Sequence, residues 1–373
     1  MVLNQHWEQP TPSEIITLQL EKASSKVFQS VFELRTFDPE GVIFYGDADG
    51  IKNWFVLALR NGRPEIQISN EYGQLVISAG TFISDGSWKK FTVRSQKNAI
   101  TLIVNDETVL VITILPSVGL DDSLIDMRIG IGGLLINESS LLIPLRPPLD
   151  ACIRNWNWLE QNTSWLVEKV SQNPNSQCPT NIVPGTFFPG VGLAAFWSRD
   201  VVNGTESPRG WGLTFEATIR PTKHSGLVMA LLTAEYNLMV KLGFSLQERR
   251  EHFRLVLGTN TVIEMAGPDR LCDGKQVIVH VSETEVRLQV GDQEARHAVD
   301  AGDFAALKMA WFSRRSVLCL GGLPGIERLG YSWFLYSGCM QDIRLQGEEV
   351  DFNVAWYKHD DISSHSCPAS APS

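Results

Sequence analysis

The sequence is short of positive charge, of histidine and of long apolar runs, and each shortage removes a class of function. Lysine and arginine number 32 against 42 aspartates and glutamates, a net charge of −10. With no run of like charge the footprint of a polyanion binder is missing, so no nucleic-acid partner is expected. No apolar stretch approaches the roughly 18–20 residues that cross a bilayer, which argues against membrane insertion. The opening MVLNQHWEQP lacks the basic-then-apolar pattern of a secretion signal. Before His224 the only histidine is His6, so a Ser-His-Asp triad in the first half would have to take its base from the amino-terminal residues or from the other half. There is no GxSxG, HExxH or phosphate loop, and GVGLAA (190–195) follows PGTFFP rather than a clear strand and opens no helix. The nearest approach to the closely spaced acids of a glycosidase, QGEEVDF (346–352), reads as an ordinary strand. No enzyme and no catalytic cofactor are expected.

Cysteine is sparse as well. The six, at Cys152, Cys178, Cys272, Cys319, Cys339 and Cys367, show no CxxC spacing, which sets aside dithiol redox chemistry and thiolate zinc. Their even number, with three Asn-x-Ser/Thr sequons at Asn137, Asn162 and Asn203, leans towards a secreted, extracellular glycoprotein.

What the chain does contain is a repeat. FELR (32–35) is answered by FEAT (215–218), Asp85-Gly86 by Asp273-Gly274, Gly132-Gly133 by Gly321-Gly322, and LDAC, ending at Cys152, by YSGC, ending at Cys339. A length of 373 residues suits two domains, each able to bury a core. The turn-rich SQNPNSQCPTNIVPG (171–185) reads as their connection and predicts domains at 1–178 and 179–373. Within each half the period is two: KKFTVRS (89–95) puts Phe91 and Val93 on one face, AITLIVNDETVLVIT (99–113) is a hairpin about Asn105-Asp106, and VIVHVSETEVRLQV (277–290) is another about Ser282-Glu283-Thr284. Short helices are predicted only in WNWLEQNTSWLVEKV (156–170) and DFAALKMAWF (303–312). The fold class is all-β, two antiparallel sandwiches in tandem.

The succession FELRTFDPEGVIFYGD (32–47), WFVLALRNGRPEIQISN (54–70), DGSWKKFTV (85–93), MRIGIGGL (127–134) and PLDACIRN (148–155) resembles a laminin G-like domain. The pair, with little else attached, is similar to the steroid-binding members of that family. The resemblance implies jelly-roll sandwiches, a sex steroid (androgen or oestrogen) held between the sheets of the first domain, a structural calcium ion near its edge, and a homodimer formed through first-domain strands near Gln74–Gly80 and the hairpin around Leu110. It implies a secreted plasma carrier that transports and buffers free hormone. The alternative is an adhesion protein that binds extracellular matrix proteins without a steroid pocket.

In the family's register Ser30 falls where a serine bonds the ring-A oxygen, and Asn53 and Asn70 fall where an aspartate and an asparagine hold the 17-hydroxyl. Phe55 would pack on the rings and Met127 would line the wall. Asn53 departs from the family's aspartate, and a neutral amide forfeits the charge assistance that roughly doubles such a bond. Nanomolar binding of a ligand of roughly 20 heavy atoms asks about −0.6 kcal/mol per atom, within known ligand efficiencies. Asp38 and Glu40 match calcium ligands, against the plainer reading of Asp-Pro-Glu-Gly as turn chemistry. PSVGLDDSLID (116–126) would be a flap over the pocket. A family zinc site is expected to be missing, since its positions are Asn53, Glu71 and Leu124. The resemblance pairs Cys152 with Cys178 and Cys339 with Cys367, each loop worth roughly 3 kcal/mol. Cys272 and Cys319 could bond to each other or stay buried thiols.

Overall fold

A computed structural model of the chain describes residues 1–3, 12–21, 28–48, 53–70, 73–96, 99–113, 124–160, 164–172, 178–202, 209–247, 250–268, 271–324 and 335–369. The chain divides into two compact units, Met1–Val183 and Pro184–Ser373.

The strands of the first unit are β1 (Val2–Leu3), β2 (Glu14–Glu21), β3 (Phe28–Thr36), β4 (Gly41–Ala48), β5 (Asn53–Arg60), β6 (Arg63–Asn70), β7 (Gly73–Ser78), β8 (Lys89–Gln96), β9 (Ala99–Val104), β10 (Glu107–Thr113), β11 (Leu124–Ile131) and β12 (Ala151–Asn157). They form two six-stranded antiparallel sheets, a front sheet in the order β1-β12-β3-β8-β9-β10 and a back sheet in the order β2-β11-β4-β5-β6-β7. Asn105 and Asp106 both hold positive φ, 49° and 65°, which is the two-residue turn that joins β9 to β10 without splaying them.

The core lies between the sheets. Phe32, Leu34, Phe91 and Leu102 face it from the front, and Phe44, Leu57, Ile66 and Ile129 from the back. The back sheet is apolar on its outer face too, where Val42, Tyr45, Trp54, Val56 and Ala58 are covered by Leu134, Leu141 and Leu145. That is why VIFY and WFVLAL read as continuous apolar runs rather than as alternation. The covering loop is tied down by Gln67, whose Oε1 accepts from the Leu142 and Ile143 N–H groups at 3.0 and 3.3 Å, and by Arg60, whose Nη2 donates to the Pro144 carbonyl at 2.9 Å.

The second unit repeats the plan with two seven-stranded sheets. Its strand Leu213–Pro221 alternates buried and half-buried residues without a break. Three α-helices are described: α1 (Ser164–Gln172), α2 (Ser198–Val201) and α3 (Ala301–Phe312). The helix expected from Trp156 starts only at Ser164. Arg154 pairs with Glu33 and Asn157 with Val31, so Trp156 and Asn157 are drawn into the sheet. Pairing with a preformed neighbour here outweighs a local pattern. QGEEVDF is a tight hairpin return, with Glu348–Glu349 folded back on Arg344–Leu345.

Both expected disulfides are present, Cys152–Cys178 with Cα atoms 5.8 Å apart and Cys339–Cys367 at 5.9 Å. Cys319 is free and fully buried, so it is not bonded to Cys272, and burial pushes its thiol up to about 12.

The two units also correct the repeat. Arg35 pairs with Cys152 and Arg220 with Cys339. Each guanidinium then grips the carbonyls just past its second cysteine: Arg35 donates to Pro179 and Thr180, and Arg220 to Pro368 and Ala369. Arg35 therefore corresponds to Arg220, and FELR to ATIR (217–220), not to FEAT (215–218). The sequence match was two residues out of register. A shift of two leaves the inward and outward faces of a strand unchanged, so alternation could not detect it.

Candidate ligand-binding site

Four of the five expected ligand residues lie on the inner face of the back sheet. Met127 pairs with Ala48, Ala48 with Asn53, and Trp54 with Ser69, which sets Asn53 beside Asn70 in the same cross-strand row. The next row inward carries Ile129, Gly46, Phe55 and Ile68. Phe55 stacks on Phe44 with ring centroids 5.5 Å apart. Ser30 faces them from the front sheet, one inward position along β3 from Phe32, and is 2% exposed. Its Oγ accepts the Leu159 N–H at 3.1 Å, which leaves the hydroxyl proton to donate.

Three interior residues were not found by reading the sequence. Gly46 faces inward from the middle of β4, and a Cβ placed there would meet only Met127 Cε at 3.6 Å and the Arg128 carbonyl at 3.8 Å. Its backbone does not require glycine, so what glycine supplies is room. Trp158 is fully buried between the sheets, its ring 5.1 Å from Phe32 and 5.6 Å from Phe44. The indole nitrogens of Trp158 and of its neighbour Trp156 are buried and make no hydrogen bond.

The second unit serves as an internal control. Ser30 pairs with Val93 as Phe215 pairs with Val279, and Ile129 pairs with Gly46 as Leu318 pairs with Leu231. The bulge that follows Arg154 recurs after Gln341, with Asn155 and Asp342 at φ 51° and 50°. Trp156 and Trp158 thereby correspond to Ile343 and Leu345. Ser30, Gly46, Trp156 and Trp158 in the first unit are thus Phe215, Leu231, Ile343 and Leu345 in the second, all buried. The same frame carries four hydrocarbon side chains in one copy and a hydroxyl, a glycine and two indoles in the other. The signal was in the sequence, but only once the repeat is aligned in the right register.

Residues 34–164 match the laminin G domain, and residues 219–348 match it a second time. Sex hormone-binding globulin of Crocuta crocuta is 33% identical over 371 residues, covering 96% of this chain and 86% of its own length, and that of Homo sapiens is 32% identical over 361 residues, covering 96% and 84%. The chain belongs to the sex hormone-binding globulin family of tandem laminin G proteins. Growth arrest-specific protein 6 of Mus musculus is 30% identical over 371 residues, which span 95% of this chain and 54% of that protein. The mouse laminin alpha1 chain, domains LG4-5, superposes with a TM-score of 0.63 at 19% identity, covering 98% of this chain and 94% of its own, and supports the fold.

At the edge of the first laminin G domain, Asp38 is fully buried. Its Oδ1 accepts the Glu40 N–H at 3.1 Å and its Oδ2 the Asp150 N–H at 2.9 Å, while Glu40 Oε1 accepts the Arg146 N–H at 3.1 Å. Both acids turn to the segment 146–150 and bracket the turn onto the sandwich. They are hard oxygen donors, but two carboxylates fill only part of the six to eight positions that calcium takes. No group of three or more His, Cys, Asp or Glu that could hold a metal is found among the described residues. The second domain has Lys223 and Ser225 in the corresponding places. Asp38→Ala strands buried N–H donors and should cost about 2–4 kcal/mol, read from the shift in the urea midpoint of the first domain.

Asn137 is exposed and caps a short turn, its Oδ1 accepting from Ser139 N and Oγ at 2.9 and 2.7 Å. Asn162 and Asn203 lie outside the described residues, as do Glu71 and most of the expected flap (116–123). His280 is half-buried, its Nδ1 3.3 Å from Thr214 Oγ1.

Proposed function

We propose that the protein is an extracellular, non-enzymatic carrier that holds a sex steroid between the sheets of its first laminin G domain and buffers the free hormone in plasma. The observation that carries this reading is the contrast between the two domains at Ser30, Gly46 and Trp158. A fold that packs Phe215, Leu231 and Leu345 into these places needs no serine hydroxyl, glycine gap or indole N–H for its own stability. A ligand does: an apolar slot with a few placed hydrogen-bonding groups suits a flat, mostly hydrocarbon molecule with an oxygen at each end. Ser30 would serve the ring-A oxygen, Asn53 and Asn70 the 17-oxygen, with Phe55 on the rings and Met127 along the wall. The kinship with sex hormone-binding globulins points the same way.

Equilibrium dialysis against C18, C19 and C21 steroids, with and without chelator, tests the reading. Ser30→Ala should weaken binding by about 1–3 kcal/mol, the cost of an unpaired ligand oxygen. Unchanged affinity in that variant rules out the pose, and a wild type that binds none of the panel leaves the matrix-binding alternative. The same dialysis reads calcium at Asp38 and Glu40, whose carboxylates are hard oxygen donors. If the ion binds there, chelator lowers the melting temperature of the wild type and leaves that of Asp38→Asn unchanged.

A homodimer is part of the proposal. It is supported by β7 and β10, which end the back and front sheets, and by Leu75 and Val111, which are 40% and 59% exposed on them. Sedimentation of Val111→Lys, expected as a monomer, checks it. Glycans at Asn137, Asn162 and Asn203 would suit a secreted protein.

A further inference from the structure

Resting on the carrier reading, we infer that Trp158 is a second hydrogen-bond donor to the ligand oxygen at the Ser30 end of the slot, and that this end selects a carbonyl over a hydroxyl or phenol. Trp158 is fully buried, yet its indole N–H has no acceptor, and neither has that of Trp156. A buried donor left unpaired carries an uncompensated desolvation cost, and an indole can only donate. The sheet does not demand this cost, since Ile343 and Leu345 replace the two tryptophans in the second domain and pack there without any donor.

The place of the orphan donor ties it to Ser30. Asn157 pairs with Val31, so Trp158 stands beside Ser30 across the β12–β3 ladder, and its ring lies against Phe32 at 5.1 Å. The next residue, Leu159, gives its own N–H to Ser30 Oγ at 3.1 Å. That bond occupies one lone pair of the serine oxygen and leaves its proton to donate. Ser30 O–H and Trp158 N–H are then two donors on adjoining positions of one interior end, with Trp156 N–H a third nearby.

A ligand group matched to them accepts twice and donates nothing. A ketone oxygen has two lone pairs and no proton. A phenol or an alcohol brings a further proton, which only the second lone pair of Ser30 Oγ could take here among the groups described, so it either strands that proton or turns the serine's own proton away from the ligand. The amides of Asn53 and Asn70 can both donate and accept, so the other end takes a hydroxyl as readily as a carbonyl. The ligand class is therefore a steroid with a ring-A ketone.

The test is competition binding on the full chain with three ligands that share a 17-hydroxyl and differ at ring A: a 3-ketone, its 3-alcohol and a ring-A phenol. The ketone should bind about ten-fold more tightly than either of the others. Trp158→Phe keeps an aromatic ring in the Phe32–Phe44 cluster and removes only the N–H. It should lower affinity for the ketone about ten-fold and for the phenol less than about three-fold, while the ligand-free melting temperature stays or rises because an unpaired donor is gone. A general loosening of the core would instead lower that temperature and weaken all three ligands alike, which overturns the inference. Equal binding of the three by the wild type, or an unchanged ketone affinity in Trp158→Phe, overturns it too while leaving the carrier reading intact. A wild type that binds none of the three overturns the carrier reading itself.

Discussion

If the first domain holds a steroid as proposed, Gly46→Leu should abolish that binding, with a loss of about 100-fold or more, in a protein that still folds. Gly46 is in regular strand, and the nearest atom a Cβ would meet is the flexible end of Met127 at 3.6 Å. The second domain carries Leu231 at this position, fully buried and paired with Leu318 as Gly46 is with Ile129. The laminin G frame thus tolerates a leucine there, and the stability change should stay within about 1–3 kcal/mol of either sign, since overpacking and cavity filling oppose one another. The ligand has no such tolerance. A branched four-carbon side chain entering beside Phe55 and Met127 occupies the volume that ring carbons need, and close-packed interiors do not absorb such a group by spreading. Thermal melts with and without steroid give both halves of the result. A Gly46→Leu protein that melts normally and still binds would put the ligand elsewhere. Gly46→Ala, which adds one methyl in ordinary contact, should cost far less affinity and grades the effect.

The all-β architecture, the duplication and both hairpins were legible because they rest on period-two alternation and on turn residues, which are local. Asn105-Asp106 could be placed to the residue because its two positive φ values admit few side chains. The register of the repeat was not legible. It is fixed by Arg35 and Arg220, each reaching carbonyls more than a hundred residues away in sequence. The helix start was misjudged for a related reason, as Trp156 and Asn157 answer to β3 and not to their chain neighbours. Within the candidate site, Ser30, Asn53, Phe55, Asn70 and Met127 came from resemblance. The structure adds that the last four share one face and that Ser30 faces them from the opposite sheet. Gly46 and Trp158 were invisible singly, because a glycine in a strand and a tryptophan near a strand end are unremarkable until the same place in the second copy proves to be leucine.

The largest effect on stability is expected at Asp303, and it should depend on pH. This carboxylate is 6% exposed at the start of α3, where Asp300 Oδ1 accepts its N–H at 3.0 Å. Its own oxygens accept four bonds: the Thr259 N–H at 3.2 Å, the Asn260 N–H at 3.0 Å, and the N–H and hydroxyl of Thr261 at 2.9 and 3.1 Å. Burial by itself would raise the pKa of Asp303, but the four bonds favour the charged form and more than offset it, so the net shift is downward. A pKa lower in the folded than in the unfolded chain means that the contribution is complete above the unfolded value of about 4 and is lost as pH falls through the folded one. Asp303→Asn keeps one acceptor oxygen but turns an NH2 towards N–H donors, so it should cost about 3–5 kcal/mol near neutral pH. Hydrogen exchange of residues 259–261 and 301–312 follows the second domain alone, which matters because two domains need not unfold as one. The gap between wild type and variant should narrow as the pH is taken from 7 to 3. A gap independent of pH would mean that the shape of the side chain, and not its charge, holds α3 in place. The glycine opposite is bound into the same arrangement: Gly258 has φ +58°, and a Cβ there would fall 2.1 Å from Asp303 Oδ1. Gly258→Ala should therefore destabilise the second domain by the same route, with the same narrowing in acid, although it removes no charge.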